Sequence, residues 1–306
     1  MIEVHGLTKH FETLVAVDHI DFTVQAGKVV ALLGPNGAGK TTTVRMLAAI
    51  LKPTAGTARV AGHDVITEAQ EVRRHVGLLT ETPGLYSRMT GWEYLDFFAK
   101  LYNLTALERE QRIKSLAARF RMSSALERRL GEYSKGMAQK ITLMRTLLHD
   151  PDVLLLDEPT SAMDPESARL VRDMILQLRN GRRAIMICTH NLPEAEELAD
   201  RILIIRQGKI VAAGSVPDLK TQLLGTPLME ARFVPPSRDG VGELIAQFAP
   251  VEAQGETWVR YRTEEPERTN PIVVRALTEA GVDLVSLGEV SRNLESVYLR
   301  VVGRAG

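Results

Sequence analysis

Residues 34–41, Gly-Pro-Asn-Gly-Ala-Gly-Lys-Thr, have the residue types and spacing of a loop that binds phosphate groups. Gly34 and Gly39 let the backbone turn tightly and approach a ligand. Lys40 and Thr41 follow at the spacing that lets an ammonium reach the β- and γ-phosphates of a nucleotide and lets a hydroxyl bind Mg²⁺. The octet therefore predicts a nucleoside triphosphate site, with contacts from Gly34, Pro35, Asn36, Gly37, Ala38, Gly39, Lys40, Thr41 and Thr42.

The segments on either side of this loop predict how it is held. Val29–Leu33 is a short apolar run, as expected of a buried parallel strand. Residues 42–51 carry apolar side chains at the spacing of one helix face. A strand, a glycine-rich turn and a helix place backbone N–H groups and the positive end of the helix dipole at one point, where an anion is stabilised.

A second candidate site follows another apolar run. Residues 153–156 read as a buried strand, and Asp157 and Glu158 come directly after it. In an enzyme that carries a phosphate-binding loop, the first acid holds Mg²⁺, usually through water, and the second orients and polarises the attacking water. Taken alone, the two acids are also consistent with an acidic helix cap. The upstream loop favours the catalytic interpretation.

Composition excludes several classes of protein. The chain has 306 residues, with 38 Lys+Arg and 38 Asp+Glu, so its zero formal charge argues against broad electrostatic binding to nucleic acid. No apolar run approaches the roughly 20 residues that span a bilayer, and the start of the sequence reads as a strand, so we expect no signal peptide. The single cysteine, Cys188, excludes an internal disulfide framework and is predicted to be a buried strand residue.

The pattern of elements predicts an α/β protein with two domains. Strands dominate the N-terminal stretch, residues 84–148 read as a helical subdomain, and strands alternate with helices from residue 150, as in a parallel sheet. A boundary is predicted between residues 222 and 228. The tail, residues 228–306, follows the order β-α-β-β-α-β of a ferredoxin-like unit and ends in a helix with Leu294, Val297, Tyr298 and Val301 on one face.

Three further motifs resemble those of one family. Residues 157–164, Asp-Glu-Pro-Thr-Ser-Ala-Met-Asp, are similar to the Walker B and D-loop segment of ABC-type ATPases. Residues 133–140, Tyr-Ser-Lys-Gly-Met-Ala-Gln-Lys, resemble the signature sequence of that family, and Cys188-Thr189-His190 resembles its switch strand. The motifs occur in the order of the family and cover residues 1 to about 220. The resemblance implies the ABC ATPase core, with an antiparallel β subdomain and a helical subdomain.

The resemblance also implies roles for individual residues. His190 would contact the γ-phosphate of ATP and, with Glu158 and Lys40, form the catalytic set. Phe11 would stack on adenine, with Val17 packed nearby. The residues that the family uses across its dimer interface would be Ser134, Lys135, Gly136 and Asp164, with the signature segment opening a helix at residues 138–148.

Two positions depart from the pattern of the family. Glu81 stands where a glutamine usually binds Mg²⁺ and contacts the membrane partner, and it adds negative charge beside the triphosphate. Lys135 stands in place of the first signature glycine, where a positive φ would strain it. Both residues, and the ending at residues 293–300, resemble the drug, polysaccharide and lipid exporters of the family.

The resemblance implies an ATP-hydrolysing subunit of an exporter. It would work as a homodimer with Mg²⁺, bound through an integral membrane permease to the cytoplasmic face of the plasma membrane, with residues 83–86 in the docking groove. The alternative is an ABC ATPase that remodels nucleic acid or ribosomes. The single ATPase domain, the compact segment between Thr41 and Ser134 and the zero net charge argue against that alternative. A regulatory, ligand-binding role for residues 228–306 is compatible with the first interpretation.

Overall fold

The computed structural model describes residues 1–82, 84–161, 163–179, 181–234, 240–290, 294–295 and 297–298. It divides the chain into two compact units, Met1–Ser215 and Val216–Gly306. The boundary predicted from the sequence, between residues 222 and 228, lies later in the chain than this division. The helix Val216–Leu224 falls in the second unit, where Arg262 Nη1 donates to the carbonyl oxygens of Leu224, at 3.5 Å, and Thr226, at 2.8 Å.

Some residues with predicted roles lie outside the described residues. They are Pro83 of the expected docking groove, Ala162 of the D-loop segment, and Asn293, Ser296, Leu299, Arg300 and Val301 of the C-terminal segment. Of the apolar face expected for the final helix, Leu294 and Val297 are buried.

The strands of the first unit are β1 (Ile2–Phe11), β2 (Leu14–Val24), β3 (Val29–Leu33), β4 (Ala55–Val60), β5 (His63–Asp64), β6 (Val76–Leu79), β7 (Val153–Asp157), β8 (Ala184–Thr189), β9 (Arg201–Arg206) and β10 (Lys209–Gly214). Its helices are α1 (Lys40–Leu47), α2 (Ala69–His75), α3 (Gly91–Leu101), α4 (Ala106–Arg119), α5 (Lys135–Leu147), α6 (Pro165–Leu178) and α7 (Leu192–Leu198), with short 3₁₀ turns at Ser123–Ala125 and Leu130–Glu132.

Two sheets organise this unit. An antiparallel sheet has the order β2-β1-β4-β5, and a larger sheet has the order β10-β9-β3-β8-β7-β6. In the larger sheet β9, β3, β8, β7 and β6 pair in parallel, and β10 adds an antiparallel edge. The predicted β subdomain and parallel sheet are both present.

The parallel strands are buried on both faces, which explains why their sequences are continuous apolar runs. Alternate residues of β7 and β8 belong to different cores: Leu154 and Ile185 pack with the helical region, whereas Leu155 and Met186 pack with β1, β2 and α1. Cys188 is fully buried in the second of these cores, as predicted, and burial raises the pKa of its thiol well above the usual value.

The helical region begins where the sequence indicates. Thr90 caps α3 by accepting a hydrogen bond from the Glu93 N–H, and the Glu93 side chain accepts from the Thr90 N–H, which completes the predicted capping box. Thr105 and Glu108 form the same arrangement on α4. These local signals fix helix starts because they satisfy N–H groups that have no partner within the helix.

The second unit contains α8 (Val216–Leu224), β11 (Leu228–Phe233), α9 (Val241–Ala246), β12 (Val251–Gly255), β13 (Trp258–Arg262), α10 (Pro266–Glu279) and β14 (Leu284–Glu289). Its sheet is antiparallel, with the order β12-β13-β11-β14. After α8 the element order is β-α-β-β-α-β, so the predicted split βαβ plan is observed. Alternate strand residues such as Ala231 and Tyr261 face a core that includes Ile245 of α9 and Leu277 of α10.

Candidate nucleotide site

The carboxyl ends of four parallel strands bring one group of the predicted site residues to the same edge of the sheet. The register places Leu33 of β3 beside Thr189 of β8, and Asp157 of β7 beside Cys188 of β8. The glycine-rich loop, Glu81, Glu158 and His190 each follow one of these strands, and Asp157 ends β7. Ligands of open α/β sheets bind at this edge, because the loops that follow neighbouring strands diverge there and form a crevice between them.

The glycine-rich loop is shaped by close backbone contacts. A Cβ on Gly34 would lie 2.4 Å from the Ile205 carbonyl oxygen, and a Cβ on Gly39 would lie 2.5 Å from that of Ala16. Gly39 caps α1 with a left-handed φ of 108°. The first residues of α1 line the crevice, so the N–H groups that have no partner within the helix are placed where a triphosphate can bind them.

Gly39→Ala is expected to destabilise the fold and weaken nucleotide binding, because the new methyl group would meet the Ala16 carbonyl and an L side chain disfavours this φ. Gly62→Ala is the matched control, since Gly62 also has a positive φ, of 88°, but has open space around its Cβ. Strain alone should cost about 1 kcal/mol at Gly62. Urea unfolding should show a larger loss at Gly39; equal losses would exclude the proposed steric contact.

Lys40 is buried and extends back along the loop. Its Nζ donates to the carbonyl oxygens of Gly34, at 2.7 Å, and Pro35, at 3.1 Å. The ammonium group is thus held by two uncharged carbonyl acceptors near the N-terminus of α1. Phosphate oxygens are stronger partners for it because they are charged.

Oxygen donors suited to a magnesium ion lie beside Lys40. Thr41 Oγ1 donates to Asp157 Oδ2 at 2.8 Å, and Glu81 lines the same crevice. Burial raises the pKa of Asp157, the bond from Thr41 lowers it, and the nearby carboxylates of Glu158 and Glu81 raise it further. A divalent cation would relieve this accumulation of negative charge.

Thr41, Asp157 and Glu81 suit magnesium better than a metal ion whose ligands must all come from protein side chains. The described residues contain no group of three or more His, Cys, Asp or Glu side chains that could hold a metal by themselves. Mg²⁺ typically takes one or two protein carboxylates together with water and the phosphates of its substrate. Thr41 and Asp157, with Glu81 at the margin, match that pattern.

Glu158, which lines the crevice, forms a hydrogen-bonded pair with His190, which is not among the lining residues. Glu158 Oε1 accepts from His190 Nδ1 at 2.7 Å and from the His190 backbone N–H at 3.1 Å. The Glu158 side chain is nearly buried, whereas that of His190 is exposed. Because a carboxylate only accepts, this pairing places the proton on Nδ1 and leaves Nε2 pointing elsewhere.

The backbone at Glu158 is in an uncommon conformation. Its φ is 51°, a left-handed value, and its N–H donates to the Cys188 carbonyl at 2.8 Å. The buried Gln139 side chain of α5 donates to the carbonyl oxygens of Glu158, at 3.3 Å, and Pro159, at 3.4 Å. A non-glycine residue held in this region by surrounding bonds is characteristic of functional sites. The sequence places Gln139 in the signature segment but assigns it no role, and its position among the apolar residues of α5 was the signal of a buried polar contact.

The crevice has a volume of about 620 Å³. Phe11 lies at one end, 42% exposed, with Lys9 Nζ 5.1 Å from its ring centroid. Val17 does not line the crevice: it is fully buried and packs behind Gly39. The residues that line it are Phe11, Leu14, Val15, Ala16, Asn36, Gly37, Gly39, Lys40, Thr41, Thr42, Glu81, Asp157, Glu158 and Gln207. Leu14, Val15, Ala16 and Gln207 were not predicted, because they come from β2 and the β9–β10 turn.

The signature residues lie away from this crevice. Ser134 caps α5, its Oγ accepting from the Met137 N–H at 3.2 Å, so the helix begins at Lys135 and not at residue 138 as predicted. Lys135 is the first helical residue and has no positive φ, so the expected strain does not arise.

Asp164 lies close to the start of α5. A Cβ on Gly136 would lie 3.9 Å from Asp164 Oδ2, and Asp164 itself caps α6 by accepting from the Ser167 N–H at 2.9 Å. This hydrogen bond lowers the pKa of Asp164. Ser134, Lys135, Gly136 and Asp164 therefore form a second cluster, and none of them lines the crevice of the same chain.

Comparison with known proteins agrees with this geometry. The family described as "ABC transporter" matches residues 17–161. The daunorubicin resistance ATP-binding protein DrrA3 of Streptomyces coeruleorubidus is 35% identical over 99% of this chain and 96% of its own length. The Nod factor export ATP-binding protein I of Burkholderia lata is 35% identical over 99% of this chain and 97% of its own. A solved ATP-binding subunit of an ABC transporter is 29% identical, covers 74% of this chain and 94% of its own, and has a TM-score of 0.69.

Proposed function

This chain belongs to the ATP-binding proteins of ABC transporters, and we propose that it binds ATP with Mg²⁺ in the crevice, hydrolyses it with Glu158 and His190, and powers an exporter. The observation that carries the proposal is the Glu158–His190 pair, joined at 2.7 Å beside the Lys40 loop. It supplies a carboxylate positioned to polarise water next to a site for a triphosphate.

The chemistry assigned to each residue follows from its position. Lys40 and the N–H groups that open α1 bind the β- and γ-phosphates. Glu158 accepts from the attacking water, and the imidazole of His190, fixed through Nδ1, contacts the γ-phosphate. Mg²⁺, held by Thr41, Asp157 and Glu81, would neutralise charge on the phosphates. Such catalysis depends on positioning and charge, because phosphoryl transfer needs little covalent assistance.

The separate signature cluster supports a dimer. Ser134, Lys135 and Gly136 open a 13-residue helix, where N–H groups and the helix dipole favour an anion, but they do not line the crevice of their own chain. We propose that they bind the γ-phosphate held by a second copy, with Asp164 at the interface. ATP would then join two protomers, and hydrolysis would release them. The bound nucleotide would thus shift the equilibrium between the dimer and the separate protomers.

An aromatic surface on the helical region is the proposed contact for the membrane subunit. Tyr86 is 54% exposed and Phe97 40%, and their rings meet edge to face at 6.3 Å. Exposed aromatic clusters of this kind mark interaction sites. Among the helices that the structure describes, none has the length and apolar character that crossing a membrane requires. We propose that a permease recruits the chain, through this surface, to the cytoplasmic face of the membrane.

Export is proposed because the relatives named for daunorubicin resistance and Nod factor export match nearly the whole chain, including the second unit. We propose the first unit, Met1–Ser215, as the nucleotide-binding domain and the second unit, which contains residues 228–306, as an accessory domain. The test is fractionation of cells with and without a co-expressed permease. Membrane association that requires the permease supports the proposal, whereas sedimentation with ribosomes or DNA would overturn it.

Glu81→Gln is expected to change how ATP binding depends on magnesium. Glu81 adds a carboxylate to a crevice that already holds Asp157 and Glu158, so it repels a bare triphosphate and attracts a cation. The variant should bind ATP more tightly in EDTA and show a smaller gain on adding Mg²⁺, each by roughly three- to tenfold. Fluorescence titration of a labelled ATP with and without Mg²⁺ measures both. If the ATP affinity of the variant depended on Mg²⁺ as that of the parent does, the Glu81 carboxylate would not affect binding of the triphosphate or the cation.

A further inference from the structure

Glu194 is a buried carboxylate that the chemistry above does not use. It lies in the first turn of α7, is 2% exposed, and is not among the residues that line the crevice. Burial raises its pKa, and hydrogen bonds from Thr160 and Thr189 oppose that rise. A buried carboxylate is costly unless it is bonded, so its partners indicate what it does.

Those partners belong to the two loops that carry the catalytic pair. Thr160 Oγ1 donates to Glu194 Oε1 at 2.6 Å, and Thr160 lies two residues after Glu158. Thr189, whose hydroxyl lowers the pKa of the Glu194 carboxyl, lies directly before His190. The bond from Thr160 ties Glu194 to the turn after β7, and the Glu194 N–H, which donates to the Asn191 side chain, ties it to the loop after β8.

The Thr189 hydroxyl extends this connection to Glu158. Its oxygen accepts from the Asn191 N–H at 3.0 Å, and its proton has two carboxylate acceptors, Glu194 and Glu158 Oε2, the latter at 3.5 Å. A hydroxyl donates one proton, so the carboxylates of Glu194 and Glu158 compete for the proton of Thr189. The Thr189 hydroxyl therefore couples Glu194 to the catalytic carboxylate.

The element that carries Glu194 is itself anchored. Asn191 caps α7 by accepting from the Glu194 N–H at 3.2 Å, and Ala195 and Leu198 of the same helix are buried. Glu194 thus projects from a fixed helix onto two loops, the arrangement by which a supporting residue sets the geometry of catalytic groups.

We infer that Glu194 is a positioning residue for ATP hydrolysis, which holds Glu158 and His190 in register through Thr160 and Thr189. The inference rests on the proposed function, because it assumes that Glu158 and His190 act on the same ATP. Since Glu194 does not line the crevice, it should affect turnover and not nucleotide affinity.

The test compares kcat and KM for ATP in the full-length protein. Glu194→Ala should lower kcat by roughly 10- to 100-fold and change KM by less than about threefold. Glu194→Gln should retain most of the activity, because its amide oxygen can still accept from Thr160 and its amide nitrogen can donate to the Thr189 oxygen. Glu197→Ala, which removes a carboxylate from the same helix but touches neither loop, is the matched control and should keep the kcat of the parent.

A double-mutant cycle separates positioning from a general structural effect. If Glu194 acts through the catalytic pair, Glu194→Ala should cost less than about threefold in a His190→Ala background. Should Glu194→Ala fail to fold, Thr160→Val, which removes the bonded hydroxyl, is expected to give the same loss of kcat.

Each failure has a distinct meaning. A parental kcat in Glu194→Ala, an equal loss in the His190→Ala background, or a Glu194→Gln variant as impaired as the alanine would overturn the inference. Absence of ATP hydrolysis by the parent protein, under conditions where it binds ATP, would instead overturn the proposed function.

Discussion

Replacing Glu158 with glutamine is expected to slow ATP hydrolysis by roughly 10²- to 10⁴-fold while ATP affinity stays near that of the parent. The amide keeps the shape of the side chain but cannot accept a proton from water. It can still accept from His190 Nδ1 through its oxygen, so the pair observed at 2.7 Å should persist. Because the γ-phosphate then remains in place, the ATP-bound dimer should accumulate.

Two measurements check this result. Phosphate release gives the rate, and size-exclusion chromatography with and without ATP gives the dimer population. Glu166→Gln is the matched control: this carboxylate lies in the first turn of α6 and is 83% exposed, and we place it outside the reaction. Hydrolysis by Glu158→Gln at the parent rate would remove Glu158 from its assigned role.

Much of this site could be predicted because its signals are local in sequence. The glycine-rich octet needs a strand before it and a helix after it, and both are visible as apolar patterns next to Gly34 and Thr41. Asp157 and Glu158 follow a strand that is buried on both faces, whose apolar run is unambiguous. The capping box of α3 was predicted for the same reason, since Thr90 and Glu93 are three residues apart.

The second unit was predictable for a different reason. The sequence predicted the element order β-α-β-β-α-β, which admits few ways to form one sheet, and the observed strand order β12-β13-β11-β14 is one of them. The position of the boundary between the two units was harder to predict from the sequence. The placement of α8 depends on bonds such as those from Arg262 to Leu224 and Thr226, which join residues far apart in the chain.

The site residues that were not predicted come together with the others only through contacts between segments far apart in the chain. Gln207 reaches the crevice from the β9–β10 turn, and Ala16 reaches it from β2, neither of which has a motif. Glu194 looked like an ordinary acidic residue near a helix start, and only the pairing of β7 with β8 brings Thr160 and Thr189 to it. The start of α5 was placed late because Gly136 disfavours a helix locally, whereas the Ser134 cap stabilises the first turn.

Lys40→Ala is expected to weaken ATP binding by about 2–5 kcal/mol, which corresponds to roughly 30-fold or more in Kd. Lys40 is only 7% exposed, and its Nζ lies within 3.1 Å of the Gly34 and Pro35 carbonyl oxygens. Among the described residues that line the crevice, Lys40 alone is cationic, so its removal would leave the phosphates facing Asp157 and Glu158.

Isothermal titration calorimetry with ATP measures this loss, and Lys114→Ala provides the matched control, since Lys114 is exposed and pairs only locally with Glu110. Lys40→Ala should also form no ATP-dependent dimer, in contrast to Glu158→Gln, because an empty crevice offers nothing for the signature cluster of a second copy to bind. A parental Kd would show that Lys40 does not bind the triphosphate. If Lys40→Ala bound ATP with the Kd of the parent but formed no ATP-dependent dimer, Lys40 would act in dimer formation and not in nucleotide binding. The two variants, Lys40→Ala and Glu158→Gln, together separate nucleotide binding from hydrolysis.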